Sequence, residues 1–420
     1  MFKPLAKLLD RVVTKGTLTV ITANGVSHRF GDGTGQPVTV ELTDPRVEWS
    51  LALDPNLAAG EAYMDGRLRM REGSIYDLIE IVVRNAEAQP LPRWARTLDH
   101  ARYMTRRIRQ YNPAKRARRN AAHHYDIDGS IYDLFLDERR QYSCAYFPPG
   151  VTDLERAQLA KLNHIAAKLH LSEGMRVLDI GCGWGGLATH LAQTAKARVA
   201  GVTLSVEQLK GAEARARREQ LADATEFRLA DYRSLDGTYD RIVSVGMFEH
   251  VGINHYVQFF RKVRDLLHRD GVALIHFIGR SDRPAMTNPF IDKYIFPGGY
   301  IPALSEVLPA IERSGLVLTD LEVLRHHYAE TLRQWRQRFC ARWDEAKRIR
   351  DERFCRMWEF YLAGSECAFR YQNLVVFQIQ LARQAESLPL TRDYMHIAEA
   401  QLAARTQSLS NDGWRRRAGE

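Results

Sequence analysis

A glycine-rich loop between an apolar strand and an amphipathic segment is the feature that most constrains this chain. Residues 178–186 read LDIGCGWGG, in which Gly181, Gly183 and Gly186 have the spacing G-x-G-x-x-G. In α/β folds, such a loop joins a buried strand to the first turn of a helix, where backbone N–H groups can approach a ligand. The loop therefore predicts a βαβ unit with a ligand site at its first turn.

Strand-like and helix-like segments alternate around this loop. The predicted strands are 176–180, 197–203, 225–230, 240–246, 272–278 and 373–382. The predicted helices are 185–195, 205–220, 254–268, 304–314, 329–347 and 350–364. Buried apolar strands that alternate with helices form parallel sheets covered on both faces. The predicted fold class is therefore α/β, with a Rossmann-like doubly wound sheet.

The N-terminal part has a different pattern. Residues 15–50 alternate apolar and polar side chains, which predicts a small antiparallel sheet, and 56–70 and 74–86 predict helices. We therefore predict four parts in this chain of 420 residues. They are a small N-terminal α+β domain that engages lipid (1–90), a basic connector (91–120), a catalytic domain (121–385) and a tail (386–420) without an assigned function.

Charge and cysteine usage limit the partners and the compartment. The net charge of +9 favours an anionic partner, either nucleic acid or a membrane surface, and eight of the twenty residues in 101–120 are Lys or Arg. That stretch could also be a solvated linker. The five cysteines lack C-x-x-C spacing, which argues against zinc and disulfides and favours a reducing cytosol. We see no secretory signal and no apolar run near the roughly 18–20 residues of a membrane span.

Asp179 distinguishes between two ligands for the glycine loop. A carboxylate just before the first glycine would repel the phosphates of a dinucleotide, and Thr203 and Ser205 occupy the region where a ribose-binding acid is expected. S-adenosylmethionine has no phosphate and carries a positive sulfonium and an ammonium group. The pattern D-x-G-x-G after the first strand is also typical of methyltransferases. We therefore predict S-adenosylmethionine as the cofactor.

Five segments in collinear order resemble the cyclopropane-fatty-acyl-phospholipid synthases, which include the mycolic acid cyclopropane synthases. They are residues 124–147, 178–188, 201–208, 240–252 and 289–302. The resemblance implies a class I S-adenosylmethionine-dependent methyltransferase fold. It also implies methyl transfer to the cis double bond of an acyl chain in a membrane phospholipid, followed by ring closure with bound bicarbonate as the base. We expect a cytoplasmic enzyme associated peripherally with the inner face of the membrane.

The resemblance implies roles for particular residues as well. The matching cofactor contacts are Tyr142, Ser143, Gly181, Gly183, Thr203, Leu204, Gln208, Asp231 and Tyr232, to which the loop argument adds Asp179. The matching bicarbonate ligands are Cys144, Glu249, His276, Ile278 and Tyr328. Aromatic faces in a dry channel would stabilise positive charge on the acyl chain. The candidates for that channel are Tyr146, Phe248, Tyr294 and Phe296.

Other interpretations stay open at this point. A relative could release a methyl- or methylene-branched acyl chain without closing a ring, and a lipid-binding module without catalysis is a further option. The positive charge alone would also suit a nucleic-acid methyltransferase, but the segment GMFEHVG lacks the N-P-P-[YF] type of motif. His276 could be an ordinary core histidine and Cys144 a small buried hydrophobe. We expect a lipid partner, no nucleic acid and no metal, with a homodimer as one possible assembly.

Overall fold

A computed structural model of the chain describes residues 1–86 and 129–417, with the side chains of 1–85 and 129–408. The predicted connector 91–120, including the basic stretch 101–120, lies outside the described residues. None of the helices in the described ranges combines the length and the apolar character needed to cross a bilayer.

The N-terminal domain is a four-stranded sheet covered by helices. Its elements are α1 (Lys3–Val12), β1 (Thr17–Ile21), β2 (Ser27–Phe30), β3 (Pro37–Leu42), α2 (Pro45–Leu53), α3 (Pro55–Met64), β4 (Leu68–Glu72) and α4 (Ile75–Ala86). The strand order is β2-β1-β3-β4.

Two predictions for this domain are wrong in part. The sheet is mixed, because β2 folds back along one edge of β1 and the chain then crosses to the other edge, where β3 runs parallel to β1. The helix predicted over 56–70 ends at Met64. Gly66 then turns the chain with a positive φ of 70°, and β4 begins at Leu68.

The catalytic domain alternates strands and helices over most of its length. Its elements are α5 (Gly129–Asp133), α6 (Leu154–Lys168), β5 (Arg176–Ile180), α7 (Gly186–Ala195), β6 (Arg198–Thr203), α8 (Val206–Arg218), β7 (Thr225–Leu229), β8 (Tyr239–Val245), α9 (Tyr256–Leu266), β9 (Leu267–Arg280), α10 (Leu304–Glu312), β10 (Val317–Leu324), α11 (His327–Ala341), α12 (Trp343–Ile349), α13 (Glu352–Tyr371), β11 (Leu374–Ala382) and α14 (Asp393–Arg417).

These strands form one seven-stranded sheet in the order β10-β11-β9-β8-β5-β6-β7. Strands β5 to β9 are mutually parallel, and β11 runs antiparallel to both β9 and β10. All six predicted strands are present. The seventh, β10, was missed because its sequence VLTDLEVL is acidic and lies at the sheet edge, half exposed.

The two domains share buried side chains along α13. Ala363 of α13 belongs to the core of the N-terminal domain. Tyr371 Oη donates a hydrogen bond to Glu80 Oε1 at 2.6 Å across the boundary. Phe360 of α13 packs against the core of the N-terminal domain, and its ring lies 6.3 Å from that of Tyr63 of α3 between centroids. The N-terminal domain is therefore docked on the catalytic domain by a continuous apolar contact.

The tail after β11 also packs on the catalytic domain. Leu402 of α14 joins the core between α6, α7 and the sheet. Thr406 Oγ1 donates to Asn163 Oδ1 of α6 at 3.2 Å. Residues 386–420 were predicted as a separate tail, and the described part of that tail forms a helix on α6.

Gly60 of α3 tests the domain contact. A Cβ at this position would lie 2.3 Å from Phe290 Cδ2. We expect Gly60→Ala to lower the free energy of unfolding by about 1–3 kcal/mol, because the ring cannot move without repacking the boundary. Urea denaturation measures this change.

Gly364 of α13 is the matched control, since a Cβ there has nothing within 4 Å. Gly364→Ala should instead raise the free energy of unfolding by about 0.5–1 kcal/mol through helix propensity. A stabilising effect of both substitutions would contradict the tight docking of the two domains.

Candidate active site

A pocket lies at the carboxyl ends of β5, β6 and β8, where open α/β sheets bind ligands. Its walls come from residues 140–143, 179–184, 202–205, 230–233 and 245–247. The ten residues predicted to contact the cofactor all line this pocket, and they are Tyr142, Ser143, Asp179, Gly181, Gly183, Thr203, Leu204, Gln208, Asp231 and Tyr232. The structure therefore brings together residues that are spread over ninety positions of the sequence.

The glycine loop is shaped by close backbone approach. Gly181 has a φ of +84°, and a Cβ there would lie 3.0 Å from Met247 Cβ. Gly185 has a φ of +75°, and its Cβ would lie 2.9 Å from Ala212 Cβ. Side chains are unfavourable at both positions. The loop can therefore pass tightly over the strand ends and leave backbone groups facing the pocket.

Asp179 is a buried residue of β5, which spans the predicted strand 176–180. Its Oδ2 has no hydrogen-bond partner among the described residues. Burial raises the pKa of Asp179 to about 7, and the charge of Lys161 opposes part of that shift. A buried acid without a partner is costly unless a cation arrives. The pocket therefore fits a ligand with a positive group beside β5.

The ends of β6 and β7 carry polar side chains that pair with one another. Thr203 Oγ1 donates to Gln208 Oε1 at 2.8 Å. Arg233 holds Asp231 through two hydrogen bonds of 2.8 and 2.6 Å, and its guanidinium lies 5.7 Å from the Tyr232 ring centroid. Arg233 also lines the pocket. The rim at this point therefore carries the neutral ion pair of Arg233 and Asp231 rather than a single negative charge.

Glu249 lies at the end of β8 and meets the neighbouring strand. Strand β9 extends beyond the last residue of β8, so the Ile278 N–H is not taken up by that strand and donates to Glu249 Oε1 at 2.7 Å. Glu249 Oε2 is buried without a hydrogen-bond partner in the part of the chain that the structure describes. Burial raises the pKa of Glu249 to about 7, although the Ile278 N–H lowers it in part. A protonated Glu249 can donate a hydrogen bond to an anion.

His276 lies two residues before Ile278 on β9 and is buried. Gln378 of β11 lies 3.2 Å from its Nδ1. Burial, and next the charge of Lys161, hold the pKa of His276 well below its ordinary value. His276 is therefore neutral at physiological pH, and its ring can donate one hydrogen bond.

Cys144 and Tyr328 approach from the other side. Both are buried in one cluster, against which Ile278 packs. Thr331 lies one turn after Tyr328 on α11. Its Oγ1 accepts a hydrogen bond at 3.0 Å from the N–H of Ala145, the residue after Cys144. Burial raises the pKa of the Cys144 thiol, so this sulfur stays protonated. Ile278 therefore packs against the cluster that holds Cys144 and Tyr328 and also donates to Glu249, while a shared bicarbonate site for the five residues stays a prediction.

The four predicted channel residues lie in different surroundings. Phe296 lies 5.9 Å from the ring of His250, a pocket residue. Tyr294 Oη donates to Glu61 Oε1 of the N-terminal domain at 2.7 Å. These two rings connect the pocket with the domain boundary.

The other two predicted channel residues are placed elsewhere. Phe248 is fully buried among the rings of Tyr256, Phe259, Phe260 and Phe277. Tyr146 stacks on His164 at 4.2 Å between ring centroids. Phe248 is therefore a core residue, and Tyr146 packs against α6. The contacts of these two side chains do not support the predicted channel role.

Lys161 of α6 is a site residue that sequence reasoning missed. Its side chain is fully buried, and its Nζ donates to Ser143 Oγ at 2.9 Å. A lysine in the segment AQLAKLNHIAAK gives no signal by itself. The role depends on α6 facing residues 141–143, which is a tertiary contact.

A sequence model of the family "Mycolic acid cyclopropane synthetase" matches residues 112–379. The chain belongs to this family. A second family model, "Domain of unknown function (DUF7884)", matches residues 5–89. The matched ranges correspond to most of the catalytic domain and to the N-terminal domain.

Individual members of this and related groups align over most of the chain. The "Cyclopropane-fatty-acyl-phospholipid synthase" of Escherichia coli strain K12 is 37% identical over 351 residues, which are 84% of this chain and 89% of the relative. The "Probable fatty acid methyltransferase" of Pseudomonas putida is 35% identical over 380 residues, 88% of this chain and 94% of the relative. The solved structure of mycolic acid cyclopropane synthase CmaA1 with SAH and CTAB is 32% identical, with a TM-score of 0.61 over 65% of this chain and 99% of that one.

These matches confirm the predicted family and the class I S-adenosylmethionine-dependent methyltransferase fold. They also confirm the predicted enzyme class, an S-adenosylmethionine-dependent C-methyltransferase of the cyclopropane synthase type. Asp179, the buried acid of β5, can stabilise the positive charge of a cationic cofactor. The cofactor is therefore S-adenosylmethionine, and the role of each lining residue toward it stays a prediction.

Asp179→Asn should have opposite effects on stability and on ligand binding. Because burial raises the pKa of Asp179 to about 7, the folded state holds a proton that the unfolded state releases above about pH 4. Stability therefore falls as pH rises from about 4 through 7. We expect Asp179→Asn to stabilise the ligand-free protein by about 1–3 kcal/mol at about pH 8.

The matched condition is about pH 4 or below, where the carboxyl group is neutral in the folded state and largely neutral in the unfolded state, so the two proteins should have similar melting temperatures. Calorimetry should show that Asp179→Asn binds S-adenosylmethionine at least about tenfold more weakly, since the carboxylate that faces the cation is lost. Wild-type affinity in the variant would remove Asp179 from the cofactor site.

Proposed function

We propose that this protein transfers a methyl group to the cis double bond of an unsaturated acyl chain in a membrane phospholipid and closes a cyclopropane ring. The observation that carries this proposal is Glu249, a buried acid with one unpartnered oxygen beside the cofactor pocket. Methyl transfer to the double bond leaves a carbocation, which must lose a proton inside a site that excludes water. Ring closure takes that proton from the transferred methyl group, so a proton acceptor must lie beside it.

Asp179 and the glycine loop would hold S-adenosylmethionine, which supplies an electrophilic methyl group when bound. The raised pKa of Asp179 means that the pocket is neutral before binding, and the cation then favours ionisation of the acid. Tyr142 helps to close the wall, since its hydroxyl lies 2.8 Å from that of Tyr361. Asp179 would thereby orient the positively charged ligand from β5.

The five residues at the junction of β8, β9 and α11 would hold bicarbonate, which supplies a base when bound. They are Cys144, Glu249, His276, Ile278 and Tyr328. Glu249, protonated near neutral pH, can donate a hydrogen bond from its unpartnered oxygen. Neutral His276 and the Tyr328 hydroxyl add donors. With a pKa of about 7, Glu249 is also ionised in part, and in that form it can take the substrate's proton from bicarbonate and release it from the site.

The relative from Pseudomonas putida that is named a probable fatty acid methyltransferase supports a second candidate product, a branched acyl chain. An enzyme with this fold could methylate the double bond and release a branched chain. Expression in a bacterium that lacks cyclopropane lipids, followed by mass analysis of its fatty acids, separates the two. A gain of one CH2 that resists mild hydrogenation indicates a ring. A gain of CH2 with unsaturation retained indicates branching and would overturn the ring-closing function.

We also propose that the N-terminal domain docks on an anionic membrane surface in the cytoplasm, as a peripheral contact. Trp49 and Leu53 of α2 are 57% and 65% exposed. They lie three and seven residues after exposed Arg46, which places all three on one helix face. Phe2 stacks on Trp49 at 3.8 Å between ring centroids. An exposed aromatic and aliphatic patch beside basic side chains is typical of membrane-surface segments.

Glu249→Gln should block ring closure while leaving the cofactor site intact. The amide keeps the shape and the hydrogen bond from Ile278 but cannot take up a proton. We expect turnover to fall by roughly 10²–10⁴, measured as cyclopropane fatty acid formed by purified enzyme on phospholipid vesicles. Binding of S-adenosylhomocysteine should stay within about threefold of wild type, because Glu249 is absent from the lining of the cofactor pocket.

Added bicarbonate should restore this variant only in part, since the proton path beyond the anion is missing. A Glu249→Gln enzyme that closes rings at the wild-type rate in bicarbonate-depleted buffer would exclude both groups from the proton path.

Membrane docking can be tested with a matched pair of leucine substitutions. Leu53→Ser should weaken binding to anionic phospholipid vesicles by at least about threefold, and Trp49→Ser by more, because each removes apolar surface from the interface. Leu229→Ser is the control, since Leu229 is 49% exposed on the edge strand β7 of the catalytic domain. Equal binding by Leu53→Ser and Leu229→Ser proteins would place the membrane contact elsewhere.

A further inference from the structure

Helix α6 holds the wall of the pocket from behind with two buried polar side chains. Gln158 Nε2 donates to the carbonyl oxygens of Gln141 and Ser143 at 3.2 and 3.0 Å. Lys161, one turn later, donates from Nζ to Gln141 Oε1 at 2.6 Å and to Ser143 Oγ at 2.9 Å. Gln141 and Ser143 both line the pocket. The same segment is therefore fixed twice, once by a neutral group and once by a charged one.

The charge of Lys161 needs an explanation that these hydrogen bonds do not give. Both acceptors of its ammonium are neutral, and the side chain is fully buried. The carboxyl groups of Asp137 and Asp179 lie within reach of its charge, but burial raises the pKa of both, which weakens their compensation. Burying an ammonium costs several kcal/mol unless charges of opposite sign compensate. Gln158 shows that an amide can hold this segment at no such cost. A lysine at 161 is therefore expected to serve an anionic group within reach of its field.

The proposed bicarbonate site lacks a positive charge of its own. His276 is the one ligand that could carry one, and burial together with the charge of Lys161 keeps its pKa well below the ordinary value. Lys161 is bonded to Ser143, the residue before Cys144, and its charge acts on the Cys144 thiol as well. An ammonium just behind the wall can favour an anion in front of it, because the protein between them screens little.

We propose that Lys161 is a positioning residue that supplies the fixed positive charge for the bicarbonate site. This inference rests on the function proposed above. Lys161 acts through the 141–144 segment and through its electric field, without touching the reacting atoms. It also favours the ionised form of Asp179, so one buried charge serves both halves of the site.

Two substitutions of Lys161 separate charge from shape, and Gln158 offers a control. Lys161→Gln keeps an N–H donor for the wall, Lys161→Met removes donor and charge, and Gln158→Met loosens the same wall without a change in charge. Each protein is saturated with S-adenosylhomocysteine and its melting temperature is measured against bicarbonate concentration. The apparent KM for bicarbonate in the ring-forming reaction is the second readout.

The expected result is a bicarbonate requirement raised at least about tenfold in both Lys161 variants and in both readouts, with Gln158→Met close to wild type. S-adenosylhomocysteine affinity should stay within about threefold in Lys161→Gln, since the wall keeps a donor. Wild-type bicarbonate dependence in Lys161→Gln would overturn the role of Lys161 alone. A wild-type protein with no response to bicarbonate in either readout would overturn the proposed base together with this inference.

The wild-type pH profile decides the matter if neither Lys161 variant folds. The groups that face Lys161 are Asp137, Cys144, Asp179, His190 and His276. Burial lowers the pKa of Lys161 to about 8. The bicarbonate concentration for half effect should therefore rise as pH increases through about 8, and Gln158→Met should keep that rise. A constant value across this range would overturn the inference.

Discussion

Two buried carboxyl groups at neighbouring strand ends constrain the whole site. Asp179 ends β5 and Glu249 follows β8, and each has one oxygen without a hydrogen-bond partner among the described residues. Burial raises the pKa of both to about 7. Such acids are costly in the ligand-free fold, so their retention points to ligands that complete them. A cation completes Asp179 by favouring its ionised form, whereas an anion completes Glu249 by favouring its protonated form.

The fold places the two carboxyl groups at different strand ends, and β8 and β9 differ in length. Strand β8 has 7 residues and β9 has 14, and β9 continues past the end of β8. There its edge is taken up by Glu249 and by a bridge from Arg280 to Ala303. The Ile278 N–H on that edge orients Glu249, while the glycine loop after β5 leaves room for the cofactor. Helices α11 and α13 cover the far side with aromatic rings, and the N-terminal domain docks on α13. The cofactor pocket and the proposed anion site therefore lie at neighbouring strand ends.

Local pattern was sufficient for six of the seven strands of the catalytic sheet and for the glycine loop, because buried strands and close backbone approach leave direct traces in the sequence. The lining of the cofactor pocket followed from the resemblance to a family rather than from physics alone. What could not be predicted depends on tertiary contacts. Asp179 was placed on its strand, but its burial without a partner was not visible in the sequence. Phe248 was predicted as a channel residue because the sequence does not show that α9 and β9 enclose it with aromatic rings. Lys161 left no trace, since its partners come from the 141–143 segment.

The account depends most directly on the protonation of the two acids. Carboxyl 13C resonances, assigned by comparing the wild type with Asp179→Asn and Glu249→Gln proteins, would report each group across pH. We expect both to titrate near pH 7 in the ligand-free protein. On adding S-adenosylmethionine, the pKa of Asp179 should fall by at least about one unit while that of Glu249 stays raised. Titration of both groups near the ordinary value of about 4, or an unchanged Asp179 pKa with the cofactor bound, would contradict it.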